Sequence, residues 1–320
     1  VEILALVVPV FAVMITGYAM VRLGILPASI AAPLVQFVYR VSLPALMFRI
    51  VAEDSLSSIL DWTFWLAFGG GTLALLVVVR LAAGRWLGDG AGQRAILSLS
   101  AVQTNTGFVA LPILHSLFGA AGVPPAAVAN IIIAAVFFPI GVAMLVSARG
   151  AAGMGTSWTA VARGVILSPL VWPTLLGLVF AGFAIPVPAI ADDFLAILAA
   201  ALTPCALFAI GASLDLSAIR HDIGRIAALT VVKLAVLPAL VLALAHSLAM
   251  APFSIIAVTI CAAVPTAKSV YFLAEEYDVA KRDAAAVISA TTLVSVLSLS
   301  LWLIALAELY PNAFHGRLAG

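Results

Sequence analysis

Two clusters of polar residues interrupt apolar runs in this chain, and their side chains are the ones equipped for chemistry. The first, in Ala101–Pro112 (AVQTNTGFVALP), holds Gln103, Thr104, Asn105, Thr106, Gly107 and Pro112. The second, in Cys261–Phe272 (CAAVPTAKSVYF), holds Pro265, Thr266, Lys268 and Ser269 and begins 160 residues later in a chain of 320. Asn105 offers a donor and an acceptor, the Thr and Ser hydroxyls can be either, and Lys268 brings a full positive charge. Gly107 tolerates backbone angles other residues avoid, while Pro265 removes a backbone donor. This is equipment for holding an anion. No nucleophile–base arrangement, metal-ligand spacing or nucleotide-binding loop accompanies it, so neither an enzyme nor a bound cofactor or metal is expected.

Lys268 is the sharpest of these residues. A cation at the middle of a membrane helix costs about 2.5–3.5 kcal/mol on insertion scales, and such residues commonly mark a substrate or ion pathway. The acids gather at helix ends, as in Glu53-Asp54, Asp192-Asp193 and Glu275-Glu276. Three roles stay open for Lys268: an amine held neutral by burial, a cap on carbonyls freed by a helix break, or the partner of an anionic substrate. Arg40, mid-way along the second apolar stretch, is a second-rank site candidate with helix packing as the alternative. Lys233, in the first half of the eighth stretch, is expected to snorkel towards the cytoplasmic side. His115 and His246 fall near outer helix ends, where exposed histidines are expected rather than a proton relay. The lack of acids inside the helices weakens the case for sodium or proton coupling, although carbonyls at helix breaks could still bind sodium.

The elements that must position these residues follow from composition. The chain is 65% hydrophobic and 9% charged, with a mean hydropathy of +1.24. Soluble domains carry about 25% charged residues, so this is a polytopic membrane protein. Stretches of roughly 20 apolar residues predict ten helices. The first five run near Ile3–Val21, Ile30–Val51, Phe64–Leu81, Ala95–Leu117 and Ala126–Val146. The second five run near Gly164–Phe183, Phe194–Leu214, Ile226–Leu248, Phe253–Ala274 and Ala284–Leu306. The longest connection, Ser147–Arg163, divides the chain at its middle, and no room is expected for a soluble domain. The first stretch lacks the basic leader and cleavage site of a signal peptide and reads as a membrane helix. Cys205 and Cys261 read as small packing residues rather than a disulfide pair.

Lys and Arg orient the helices. The odd-numbered connections hold Arg22; Arg80, Arg85 and Arg94; Arg149 and Arg163; Arg220 and Arg225; Lys281 and Arg282. The even-numbered ones hold none, apart from Arg49 near the end of helix two. The positive-inside rule therefore predicts cytoplasmic odd connections and both termini outside.

The halves also resemble one another. Pro9, Gly17, Pro44 and Phe48 fall opposite Pro169, Gly177, Pro204 and Phe208 at the 160-residue offset, and Thr106 falls opposite Thr266. A repeat of five helices must enter the membrane upside down relative to its copy. Inverted repeats with broken helices at matching positions are the pattern of secondary transporters, and the breaks point to the substrate site. The breaks are expected near Thr104–Gly107 and at Pro265. The plainer alternative is a pair of packing kinks whose polar side chains cap freed backbone groups.

The segments TNTGFVALP (Thr104–Pro112), LPALMF (Leu43–Phe48), VPTAKSVYFLAEEY (Val264–Tyr277) and AVISATTLVSVLSLSLW (Ala286–Trp302) resemble bacterial members of the auxin efflux carrier family. That family includes plant PIN-FORMED auxin exporters and bacterial proteins described as malonate or malate permeases. The resemblance covers essentially the whole chain. It implies an all-α fold of ten transmembrane helices in two inverted five-helix repeats, residues 1–150 and 151–320, with helices four and nine broken and crossing. It implies a scaffold of helices one, two, six and seven, a homodimer through helices two and seven, and a transport unit of helices three to five and eight to ten moving as an elevator. It implies a place in the bacterial inner (plasma) membrane. An Asn at each crossover contacts the substrate carboxylate in the plant members. Asn105 matches the first, whereas the second crossover reads PTAKS and leaves Lys268 as the candidate for that role.

The expected function is secondary transport of small organic anions, dicarboxylates or auxin-like acids. Asn105, Lys268, Thr266, Thr104, Gly107, Gln103 and Ser269 would form the site, and Pro265 and Pro112 would mark the breaks. The expected partners are the anion, the lipid bilayer and a second copy, with no nucleic acid. A sodium- or proton-coupled carrier on the same architecture is the nearest alternative, and a membrane sensor that binds without transporting is a further one.

Overall fold

The computed structural model describes residues 2–53, 61–86, 90–150, 171–214 and 222–314. The central connection beyond Gly150, the opening of the sixth apolar stretch with Pro169, and Asp54, Gly88, Asp89, Arg163 and Arg220 lie outside the described residues. Among the described residues, regular structure is helical, and the one exception is an isolated antiparallel bridge between Thr104 and Thr266. Helix is what lipid demands, because a helix satisfies its own backbone where no water can. Among the described residues, six spans are long and apolar enough to cross a membrane: Ala28–Arg49, Trp62–Ala82, Thr106–Ala148, Ala189–Ala212, Ile223–Ser247 and Lys281–Leu309. Phe11–Arg22 and Pro252–Ala263 are shorter apolar helices. The chain is an all-helical polytopic membrane protein.

Prolines shape these helices in a repeated way. Wider π turns occupy Val38–Ser42, Thr106–Ala110, Ile133–Phe137 and Val232–Val236. Each of these four ends two residues before a proline, Pro44, Pro112, Pro139 and Pro238, whereas a fifth wide turn, Trp65–Gly70, has no proline behind it. A proline ring clashes with the carbonyl four residues back and has no N–H to offer it. Widening the preceding turn relieves that crowding without ending the helix. At Pro238 the carbonyl four residues back is Leu234, and the Trp302 indole N–H donates to it at 2.8 Å.

The chain divides into two compact units. One comprises Val1–Asp61, Gly107–Ile131 and Gly164–Leu214. Inside it, Glu2–Arg22 packs along Leu202–Ala212, and glycines make the approach close. A Cβ on Gly17 would lie 2.2 Å from the Phe208 carbonyl oxygen, and one on Gly211 would lie 1.8 Å from that of Met14. Val171–Gly182 packs along Leu43–Glu53 in the same manner, with Gly177 against the Val51 side chain and the Phe48 carbonyl. Small residues at such contacts are how helices associate without a hydrophobic drive between them. Arg49 donates from Nη2 to Asp192 Oδ2 at 2.9 Å in a two-pronged pair. The one basic residue that stood against the orientation pattern therefore has a carboxylate partner.

The other unit comprises Trp62–Thr106, Ile132–Arg163 and Asp215–Gly320. Its core is built by Ala91–Val102, Pro252–Ala263 and the long helix Lys281–Leu309. Polar residues buried in these helices are mostly satisfied locally: Ser100, Thr259 and Thr291 donate to the carbonyls of Ile96, Ile255 and Val287. Gln93 donates to Asp283, which is buried at the start of Lys281–Leu309. His115, in the first unit, and His246, in the second, are both exposed. Neither Cys205 nor Cys261 is in a disulfide.

Candidate functional site

Both polar clusters leave the helical conformation, and in the second unit they meet. Ala91–Val102 ends at Gln103, which is extended (φ −68°, ψ 123°), and a wide turn resumes at Thr106. Pro252–Ala263 ends at Val264, also extended (φ −69°, ψ 156°), and helix resumes with Ser269–Glu276. A break in a dry interior frees backbone groups that must find partners. Here each break supplies them for the other. The Asn105 N–H donates to the Pro265 carbonyl at 2.9 Å, and the Ala267 N–H donates to the Gln103 carbonyl at 3.1 Å. Thr104 and Thr266 face each other across this two-bond bridge. Pro265 fits because its position needs an acceptor and no donor.

Side chains lock the junction. The Thr266 hydroxyl donates to the Ser100 carbonyl at 2.7 Å, one of the carbonyls the end of Ala91–Val102 leaves open. The Thr266 N–H donates to the Thr291 hydroxyl at 3.2 Å. The Ser269 hydroxyl donates to Gln103 Oε1 at 2.8 Å, and Gln103 Nε2 donates onward to the Phe137 carbonyl at 3.3 Å. Gln103, Thr266 and Ser269 thus spend their donors on holding the breaks together.

The remaining polar groups are differently placed. Thr104 is 1% exposed, and its hydroxyl has no hydrogen-bond partner among the described residues. Asn105 is 4% exposed beside it. Lys268 is half-buried and stands at the position that caps Ser269–Glu276. A helix N-terminus carries partial positive charge, so a lysine there adds like to like. Two positive features side by side, with an uncommitted hydroxyl and an amide in the same junction, favour an anion.

Gly107, Pro112 and Arg40 belong to the first unit. Pro112 sits in the first turn of Leu111–Phe118, where a missing N–H is tolerated. A Cβ on Gly107 would lie 3.3 Å from Asn130 Oδ1, so the glycine lets this buried amide come close. Arg40 is exposed within the wide turn Val38–Ser42.

Two residues, one in each unit, escape sequence reasoning. Lys233 does not snorkel. It is 0% exposed, and its Nζ donates to the Ala262 and Val264 carbonyls at 2.8 and 2.6 Å. Those carbonyls terminate Pro252–Ala263, so the nearest acceptors for the ammonium were at the helix break and not at the membrane surface. Asn130 is the other, and its signal was available: it is the one Asn in the fifth apolar stretch. Among the described residues, no cluster of His, Cys, Asp and Glu could hold a metal ion.

Comparison with known proteins bears on this geometry. Residues 2–303 match the family described as membrane transport protein. A protein of Rhizobium meliloti, provisionally named a malonate transporter, is 27% identical over 302 residues, covering 93% of this chain and 94% of its own. An uncharacterised transporter of Methanothermobacter thermautotrophicus is 25% identical over 305 residues, 94% of this chain and 97% of its own. The uncharacterised transporter YfdV of Escherichia coli K12 is 24% identical, covering 92% and 95%.

Proposed function

Because this chain belongs to the auxin efflux carrier family of membrane transport proteins, and is a transporter and not an enzyme, we propose that it carries small organic anions across the bilayer by alternating access. The observation that carries the proposal is the junction of the two breaks, which brings the Thr104 hydroxyl and the Asn105 amide together with the helix start at Lys268–Ser269. A carboxylate bound there accepts from Thr104 and Asn105 and lies in the field of the Ser269–Glu276 N-terminus and the Lys268 ammonium. Thr266, Gln103 and Ser269 position the site. The name of the Rhizobium relative points to a short dicarboxylate such as malonate as the first cargo to test.

In this proposal residues 1–150 and 151–320 are inverted repeats of five membrane helices each, with broken fourth and ninth helices that cross. Reciprocal contacts in the first unit support the repeat. Gly17 meets the Phe208 carbonyl and Gly177 meets the Phe48 carbonyl, and the two pairs interchange under the 160-residue offset. The helices that hold the junction move as an elevator against a scaffold of helices one, two, six and seven. Two copies pair through helices two and seven in the inner membrane of a bacterium, with both termini on the outer side.

Purified protein in proteoliposomes tests the site through malonate counterflow. Asn105→Ala and Lys268→Ala abolish exchange while leaving the thermal unfolding midpoint near that of the parent. Full exchange by both variants would sink the assignment.

A further inference from the structure

Lys233 is a buried amine that the anion site does not use. It is fully buried, and its ammonium donates to the Ala262 and Val264 carbonyls at the end of Pro252–Ala263. The last carbonyls of a helix lack intrahelical partners and concentrate partial negative charge. The partner break is closed differently: the end of Ala91–Val102 has a neutral cap, the Thr266 hydroxyl on the Ser100 carbonyl. Among the described residues, one break is met by a lysine side chain and the other by a hydroxyl.

Unwound carbonyls and half-helix C-terminal ends are where transporters built on discontinuous helices coordinate sodium. An ammonium asks the same of such a site, namely carbonyl oxygens converging on a single positive charge. We propose that Lys233 is the resident cation of this break, seated where a mobile coupling ion such as sodium would bind, and that it frees transport from sodium. The lysine travels with the protein through every step, so the break stays neutralised whether the anion site is filled or empty. Shortening the side chain leaves the Ala262 and Val264 carbonyls without that donor and vacates the volume of the lost stem. A sodium ion with its waters then takes the seat. The link to coupling rests on the transport reading above, whereas the cation seat does not.

Thermal unfolding of purified protein without any carboxylate, in sodium chloride against choline chloride at equal ionic strength, tests the seat. The parent and Lys233→Arg unfold at the same midpoint in both salts. Lys233→Ala and Lys233→Gln unfold at lower midpoints in choline, and both shift upward and saturate as sodium is titrated in, as binding to the folded state requires. Recovery of these variants from membranes only in sodium counts as the same result. A saturable sodium shift in the parent overturns the proposal, and so do variants that ignore sodium or are lost in both salts. Malonate counterflow is measured in parallel, and the parent exchanges equally in both salts. Absent counterflow with an intact sodium response in the variants removes the substrate reading and leaves the seat standing.

Discussion

Thr266 does inside this protein what water does outside a membrane. Its hydroxyl closes the Ser100 carbonyl and its N–H is taken by Thr291, so one residue serves both broken helices. Valine keeps its shape and removes the hydroxyl, leaving a buried carbonyl unmet at a cost of about 1–3 kcal/mol. Thr266→Val accordingly lowers the unfolding midpoint in detergent while retaining measurable malonate exchange, the reverse of the pattern expected for Asn105→Ala. An unchanged midpoint would show that the Ser100 carbonyl finds another donor. Polar residue types were legible as a cluster, but their division of labour was not. Gln103, Thr266 and Ser269 look like ligand groups in sequence and are bonded to the protein in space. Thr104, less conspicuous than Asn105 or Lys268, keeps its hydroxyl uncommitted.

At the scale of elements, the breaks were readable because polar residues and Pro265 in an apolar run leave few alternatives in lipid. The wide turns were not. A proline within a helix is visible in sequence, but whether the chain kinks, stops or widens depends on what stands ready to take the released carbonyl. Trp302 plays that part for Leu234, from 68 residues away. Glycine contacts between helices offer a test. A Cβ on Gly17 would meet the Phe208 backbone at 2.2 Å, and one on Gly177 would meet the Val51 Cβ at 2.8 Å, whereas nothing lies within 4 Å of one on Gly70. Backbone cannot turn aside as a flexible side chain can. Gly17→Ala and Gly177→Ala therefore each destabilise by at least about 1–3 kcal/mol, and Gly70→Ala stays within about 0.5 kcal/mol of the parent. Thermal unfolding of the three variants side by side checks this, and equal midpoints for all would mean the helices separate at little cost.

For the whole molecule, orientation is the boldest statement that charge alone makes. Arg49, its main exception, is paired with Asp192, but the rule counts Lys and Arg rather than net charge, so Arg49 still stands against the pattern. With both native cysteines replaced, Gly90→Cys is labelled by a membrane-impermeant maleimide only from the cytoplasmic side, and Pro186→Cys only from the outer side. Labelling of both from one side would overturn the orientation. Composition by itself determined that this chain lives in lipid, since 9% charged residues cannot cover a soluble surface of this size. The apolar run lengths set the helices, and the polar interruptions placed the breaks. Only the tertiary structure decided what closes each break. Lys233 could reach towards the membrane surface or towards Ala262 and Val264, and its sequence neighbours are equally apolar in either case. The choice lay with carbonyls about 30 residues further along the chain, opened by a break in another helix. An open carbonyl in a dry interior must be met, and the ammonium of Lys233 was brought there to meet it.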